Sequence, residues 1–214
     1  MRLQVNEIFF SIQGESTHAG RPCVFVRLTG CNLRCVYCDT AYAYDGGHRL
    51  SIDGICKRIS AYGFPLVEVT GGEPLHQAGT PELIDCLLDR GYEVLVETNG
   101  SKDISALPRA CTRIVDIKCP GSGQSHRTDF ANMDRLAPWD QIKFVISDRD
   151  DYDYARVVMD RFCLAPPQHT LLFAPVAGVL DPARLADWII GDRLNVRMQL
   201  QLHKIIWPDI NRGV

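Results

Sequence analysis

Apolar residues in this chain fall into short continuous runs, separated by stretches in which they recur every three or four positions. The runs at residues 3–10, 23–28, 66–69, 92–96, 113–118, 141–146, 170–174 and 196–202 read as strands. Between them, Ser51 is placed to cap a helix with Ile52, Ile55, Ile59 and Tyr62 on one face. Thr80 and Pro81 open a second helix, which carries Leu83, Ile84, Leu87 and Leu88 and ends at Gly91. A third begins near Asp150 and turns Ala155, Val158, Met159 and Phe162 inward; a fourth begins at Asp181-Pro182 with Leu185, Trp188 and Ile189 on one face.

Strands that are apolar throughout and alternate with helices imply a mostly parallel sheet with the helices outside. The units are too few for a closed eightfold barrel, so the expected fold is α/β, an open partial (β/α) barrel. Ligands of such sheets gather at the carboxyl ends of the strands. The polar and glycine-rich segments at Gly30–Thr40, Thr70–Glu73, Glu97–Asn99, Lys118, Ala174-Pro175 and His203 all fall at such ends.

Composition narrows the class. With 214 residues and 46% hydrophobic content, one domain spanning 1–214 can bury a full core. The net charge of −3 and the lack of a Lys/Arg run argue against direct nucleic-acid binding and point to a small-molecule substrate. No apolar run is long enough for a signal sequence or a membrane span, so a cytoplasmic protein is expected. Nine cysteines are then not a disulfide framework. Cys23, Cys56, Cys86, Cys111 and Cys163 read as reduced core thiols, and Cys119 is left open.

Cys31, Cys35 and Cys38 are the remaining three, spaced closely enough to converge on one soft metal centre. A structural zinc site uses four ligands, commonly as two pairs, whereas three clustered thiolates suit a cubane iron–sulfur cluster with one open iron. Upstream, Gln13-Gly14-Glu15 forms a loop in which the glycine permits close backbone approach, though a plain turn has the same look. Arg27 is the only charge in its strand, so it either meets a structural carboxylate or receives an anionic ligand; its position four residues before Cys31 favours the ligand.

The Cys-x3-Cys-x2-Cys spacing with Tyr37 before the last cysteine resembles the signature of radical S-adenosylmethionine (SAM) enzymes. Thr70-Gly-Gly-Glu-Pro74 looks like that family's Gly-Gly-Glu motif, which meets the SAM amino group. The resemblance implies a barrel of the radical SAM type, a [4Fe-4S] cluster on the three cysteines, and SAM against Tyr37, Cys38, Asp39, Gly72, Glu73, Asp116, Ile117 and Lys118. The upstream Gln-Gly-Glu loop, Thr40 directly after Cys38-Asp39, and the ending His203-Lys-Ile-Ile-Trp-Pro-Asp-Ile-Asn-Arg-Gly-Val214 resemble, more narrowly, the 7-carboxy-7-deazaguanine synthases of queuosine biosynthesis.

That narrower resemblance implies ring contraction of 6-carboxy-5,6,7,8-tetrahydropterin, with release of ammonia, and Mg2+ held by Thr40. It implies substrate contacts from Ile12, Gln13, Gly14, Glu15, Arg27, Thr70, His203 and the Val214 carboxylate, a homodimer, and an electron donor such as flavodoxin or ferredoxin. The chain departs from the family pattern in three places. Asp116-Ile-Lys118 stands where many members have Ser-Pro-Lys, Ala174-Pro175 lacks a side-chain donor, and Ser16 replaces a frequent glycine. His48, His76, His126 and His169 match no motif and read as surface or core residues. A glycyl-radical activase shares the cysteine spacing, and a non-catalytic metal-binding module is the rival of another class.

Overall fold

The computed structural model describes all 214 residues and contains one nine-stranded sheet. β1 (Arg2–Ile12), β2 (Pro22–Leu28) and β3 (His48–Ser51) precede α1 (Ile52–Ser60). β4 (Leu66–Gly71), α2 (Thr80–Asp89), β5 (Glu93–Thr98), β6 (Thr112–Ile117), β7 (Gln141–Ile146), α3 (Arg149–Arg161), β8 (Thr170–Pro175), α4 (Pro182–Gly191), β9 (Arg197–Met198) and α5 (Leu202–Ile206) follow. The order across the sheet is β3-β1-β2-β4-β5-β6-β7-β8-β9. β2 and β4 to β9 are parallel, as expected; β1 lies between β2 and the edge strand β3 and runs antiparallel to both, and neither β3 nor this antiparallel pairing was predicted by the apolar pattern. No helix is long and apolar enough to cross a membrane.

Register explains which side chains face which layer. Alternate residues of β2, β4 and β5 (Val24, Val26, Val67, Val69, Val94, Val96) point outward and pack under α1 and α2. Val115, Ile142, Phe144, Leu171 and Phe173 do the same under α3 and α4. Facing inward, Phe9, Cys23, Phe25, Leu66, Leu95 and Ile114 fill the end of the barrel near the strands' amino termini, with Phe9 and Phe25 stacked at 4.9 Å. The next inward positions toward the carboxyl ends are Arg27, Glu68, Glu97, Asp116 and Lys143. The barrel is thus apolar at one end and charged at the other.

Several local expectations change. Ser51 does cap α1, accepting from the Gly54 amide at 3.1 Å, but Tyr62 lies beyond the helix and packs against Phe10. Thr80 is inside α2 rather than its cap, because its hydroxyl donates to the Pro74 carbonyl. The final strand shortens to Arg197–Met198, and His203 sits in α5 instead of following a strand. Cys119 is fully buried in the core under α3, whereas Cys163, expected inside, is exposed.

Candidate active site

Two loops meet across the charged half of the barrel. The first carries the three cysteines and is fitted against the end of β4 by its glycines. A Cβ on Gly71 would lie 2.4 Å from the Leu28 carbonyl oxygen, and one on Gly72 would lie 2.3 Å from that of Gly30 and 2.8 Å from Cys31 Cβ. The Gly-Gly pair therefore serves close backbone packing of the cysteine loop itself. Cys31, Cys35 and Cys38 are free and half-buried. Cys31 Sγ accepts hydrogen bonds from the Leu33 amide at 3.4 Å and Asn99 Nδ2 at 3.7 Å. N–H donors aimed at a sulfur suit a thiolate that ligates a metal. Tyr37 reaches across to donate its hydroxyl to the Val145 carbonyl at 3.3 Å, tying the loop to β7.

Glu73 is fully buried. It accepts from the Leu75 amide, the Thr98 hydroxyl and the Asn99 amide at 2.9, 2.8 and 2.7 Å. These bonds join the ends of β4 and β5 and leave one acceptor position on Oε2. Lys118 pairs with Asp116 Oδ2 at 2.7 Å, while buried Asp116 Oδ1 has no protein partner.

The second loop, Gln13–His18, comes from the opposite direction. Because β1 is antiparallel, its carboxyl end lies beside the amino end of β2, with Ile12 opposite Pro22. From there the loop crosses the barrel floor and is anchored on the far side. The Ser16 amide donates to Gln199 Oε1 at 2.8 Å and the Thr17 amide to Gln141 Oε1 at 3.0 Å. Ser16 adopts φ 63°, the left-handed conformation that its glycine counterpart would take freely.

Lys143 holds the centre of this interior. Its ammonium contacts Glu15 Oε2 at 2.9 Å, Glu97 Oε1 and, more distantly, Asp116 Oδ2 at 3.8 Å. Burial opposes its charge, but the surrounding carboxylates outweigh burial and raise its pKa well above the ordinary lysine value. Glu15 is likewise penalised by burial, yet Lys143, Gln201 and His203 hold its pKa below the usual value, so it is ionised. Glu97 is raised, by burial first and by Glu15 and Asp116 as like charges. Glu68, whose Oε2 accepts from Gln13 Nε2, is pushed up to about 8, by burial first and then by Glu97 and Glu15.

α5 closes the site from the side. The Leu202 amide donates to the Gly14 carbonyl at 3.0 Å, and a Cβ on Gly14 would lie 2.3 Å from His203 Nδ1. Burial lowers the His203 pKa, against the pull of Glu15 and Asp39, so its ring is neutral near pH 7. Lys204 and Gln201 both reach Asp39 Oδ2, at 2.5 and 3.4 Å, linking α5 to the cysteine loop. The chain end also returns to the site: the Arg212 guanidinium lies 4.2 Å over the Tyr42 ring, and Tyr42 donates to Glu7 at 2.8 Å.

Arg27 has the structural carboxylate that the sequence left as the alternative to an anion. Its Nε donates to Glu7 Oε1 at 2.7 Å, and its outer nitrogens make no hydrogen bond within the protein. Thr70 is its register partner on β4, so both sit at the rim of the charged interior. Thr40 donates to Asp39 Oδ1 at 2.8 Å, and no three His, Cys, Asp or Glu side chains are arranged to hold a metal ion among themselves. His48, His76 and His126 are exposed and His169 is half-buried. Sequence reasoning missed Lys143 and Glu68. Each is a lone charge inside an apolar strand, the same signal that singled out Arg27.

Residues 25–118 match the radical SAM superfamily. The chain is 42% identical to the 7-carboxy-7-deazaguanine synthase of Koribacter versatilis, over 99% of this chain and all of that protein. It is 45% identical to the synthase of that name from Chlorobaculum tepidum, over 99% of this chain and 97% of that one. Among solved structures it is similar to QueE from Escherichia coli, with a TM-score of 0.77 at 22% identity over 94% of each chain. It also shares its fold with Streptococcus suis SuiB bound to S-adenosylmethionine, with a TM-score of 0.51 at 12% identity over 80% of this chain and 45% of that one.

Proposed function

The chain belongs to the 7-carboxy-7-deazaguanine synthase family, and from this premise we propose that it contracts the ring of 6-carboxy-5,6,7,8-tetrahydropterin to 7-carboxy-7-deazaguanine and releases ammonia. The observation that carries the reading is the charged barrel interior beside the three-cysteine loop, lined by the Gln13–Glu15 loop, Arg27 and Lys143 and flanked by His203.

Cys31, Cys35 and Cys38 would hold a [4Fe-4S] cluster, and the donors on Cys31 Sγ fit a thiolate ligand. SAM would lie against Tyr37 to Asp39, Gly72, Glu73 and the Asp116–Lys118 segment; bound there, cluster and SAM would supply the one-electron chemistry that starts a radical reaction. Asp116 Oδ1 and the remaining acceptor position on Glu73 are free for donors of that ligand. Mg2+ would take the Thr40 hydroxyl and otherwise oxygens of substrate or water, as a hard cation with few protein ligands commonly does.

The chain's own residues would select and orient the pterin. The outer nitrogens of Arg27 would receive its carboxylate as a two-pronged clamp. Neutral His203 offers one donor and one acceptor without adding charge, and Lys143 fixes ionised Glu15 so that Gln13, Gly14 and Glu15 present a rigid edge. Ile12 supports the start of that loop, Thr70 lines the rim beside Arg27, and the Val214 carboxylate would meet the amidine-like edge of the pterin. A cytoplasmic homodimer fed by a low-potential electron donor completes the reading.

The test is mass spectrometry of anaerobically reconstituted protein with SAM, reductant, Mg2+ and carboxytetrahydropterin. Deazaguanine carboxylate formed in many turnovers per SAM consumed is the expected result. Deoxyadenosine without deazaguanine would overturn the substrate assignment and leave the activase reading in its place.

A further inference from the structure

We propose that Cys56 and Cys86 form a reversible oxidation site, at which a small-molecule disulfide converts the two thiols into a disulfide that staples α1 to α2. The site is independent of the reaction assigned above. In the reduced chain the two sulfurs already face each other, Sγ to Sγ at 3.5 Å, from helices that pack on the same outer surface of the sheet. The other thiols outside the cysteine loop are arranged differently. Cys23, Cys111, Cys119 and Cys163 each donate to a carbonyl no more than three residues away in the chain.

An ion pair spans the same seam. Asp53 lies one turn before Cys56 on α1, and Arg90 lies one turn after Cys86, at the end of α2. Arg90 donates to Asp53 Oδ1 at 3.0 Å, so thiols and ion pair share the facing surfaces of the two helices. Bringing the sulfurs to the bonding distance of about 2 Å then takes side-chain rotation and a small approach of the helices.

The two thiols are unequal. Cys56 is buried in the core, whereas Cys86 is half-buried and open to a small reagent. Burial, and then Cys86, push the Cys56 thiol up to about 12, with Arg90 pulling the other way. Cys86 therefore reacts first. Its thiolate attacks one sulfur of the oxidant, breaks the S–S bond and releases one thiolate. Cys56, on losing its proton, attacks the Cys86 sulfur of the mixed disulfide and displaces the second thiolate. The protein's two sulfurs lose two electrons, their two protons go to the departing thiolates, and the oxidant leaves as two thiols.

The new bond joins positions 30 apart and closes a ring of chain between them. That ring contains β4 and the Thr70–Pro74 turn, whose glycines seat the cysteine loop. Oxidation would thus lock this seat from the outer face of the sheet. A crosslink of that span removes conformational freedom from the unfolded chain and stabilises the folded one.

The test treats the full-length protein with oxidised glutathione, blocks the remaining thiols with N-ethylmaleimide and maps tryptic peptides by mass spectrometry. The expected result is a link between peptides 50–57 and 59–90 that dithiothreitol removes. It should come with a rise in melting temperature of about 5 °C or more. Cys86→Ser, at a half-buried position, should fold and show neither change, while its cysteine loop remains as a control for oxidation there. Cys56→Ser should stop at a glutathione adduct on Cys86. A wild type that also stops at the adduct overturns the proposal, as does linkage mainly through Cys163 or between two chains. The same rise in melting temperature in Cys86→Ser would assign the effect to other thiols and overturn it too. Linkage with an unchanged or lowered melting temperature would refute the staple.

Discussion

At the residue scale, Asn99 connects the end of β4 with the three-cysteine loop. Its backbone amide donates to Glu73 and its side chain to Cys31 Sγ. A hydrogen bond to a cluster sulfur stabilises the more negative, reduced form, so Asn99→Ala should shift the cluster potential downward, on the order of tens of millivolts. An EPR-monitored redox titration reads this directly, and an unchanged potential would remove Asn99 from the cluster's surroundings. Glu68 makes a prediction about pH. Its folded pKa, about 8, lies above the unfolded value near 4.5, so the folded state keeps a proton that the unfolded chain loses. Its contribution to stability is complete below about pH 4.5 and is lost as pH rises toward 8. Glu68→Gln removes that loss, so its unfolding free energy from urea titration, relative to wild type, should rise between pH 5 and 8 by about 3–4 kcal/mol. Parallel curves would show that Glu68 is already ionised. Arg27 was legible in the sequence as a costly charge in an apolar strand, but its Glu7 partner was not. The pairing crosses an antiparallel register, Glu7 opposite Arg27, that composition does not encode.

At the element scale, the parallel strands and α1 to α4 follow from the apolar pattern because each buries one clear face. The carboxyl-terminal segment does not. Met198-Gln-Leu-Gln-Leu202 alternates like a strand, yet Gln199 and Gln201 spend their amides on Glu15 and on the Ser16 backbone, and the Leu202 amide donates to Gly14. Tertiary bonds to a loop almost two hundred residues earlier override the local period and turn the chain into α5. Gly14 is the contact point. Gly14→Ala would place a methyl group 2.3 Å from His203 Nδ1 and 3.1 Å from the His203 backbone nitrogen, which cannot move without α5. The expected outcome is a loss of about 1–3 kcal/mol, with hydrogen exchange of the 202–206 amides accelerated well beyond that of β4 and β5. Exchange that rises uniformly would mean the glycine matters to the whole fold and not to this closure.

At the scale of the whole molecule, the sheet is open between β3 and β9, and its closure is made by segments that are not strands. The Gln13–His18 loop covers the floor, α5 covers the side, and the last residues return over Tyr42. Residues 208–213 are exposed and belong to none of the three apolar clusters, so they contribute little to the folding free energy. Arg212 among them packs on Tyr42, which in turn bonds the Glu7 that holds Arg27. A chain ending at Trp207 should therefore melt within a few degrees of the full protein and take up the same iron on reconstitution. It should nevertheless bind carboxytetrahydropterin at least about tenfold more weakly, since the Tyr42–Glu7 pair that holds Arg27 loses the Arg212 guanidinium packed over it. Calorimetric titration of the pterin into the reconstituted protein separates these effects. Equal affinity with and without the tail would confine recognition to the barrel interior, whereas a large drop in melting temperature would make the tail part of the fold, contrary to its exposure.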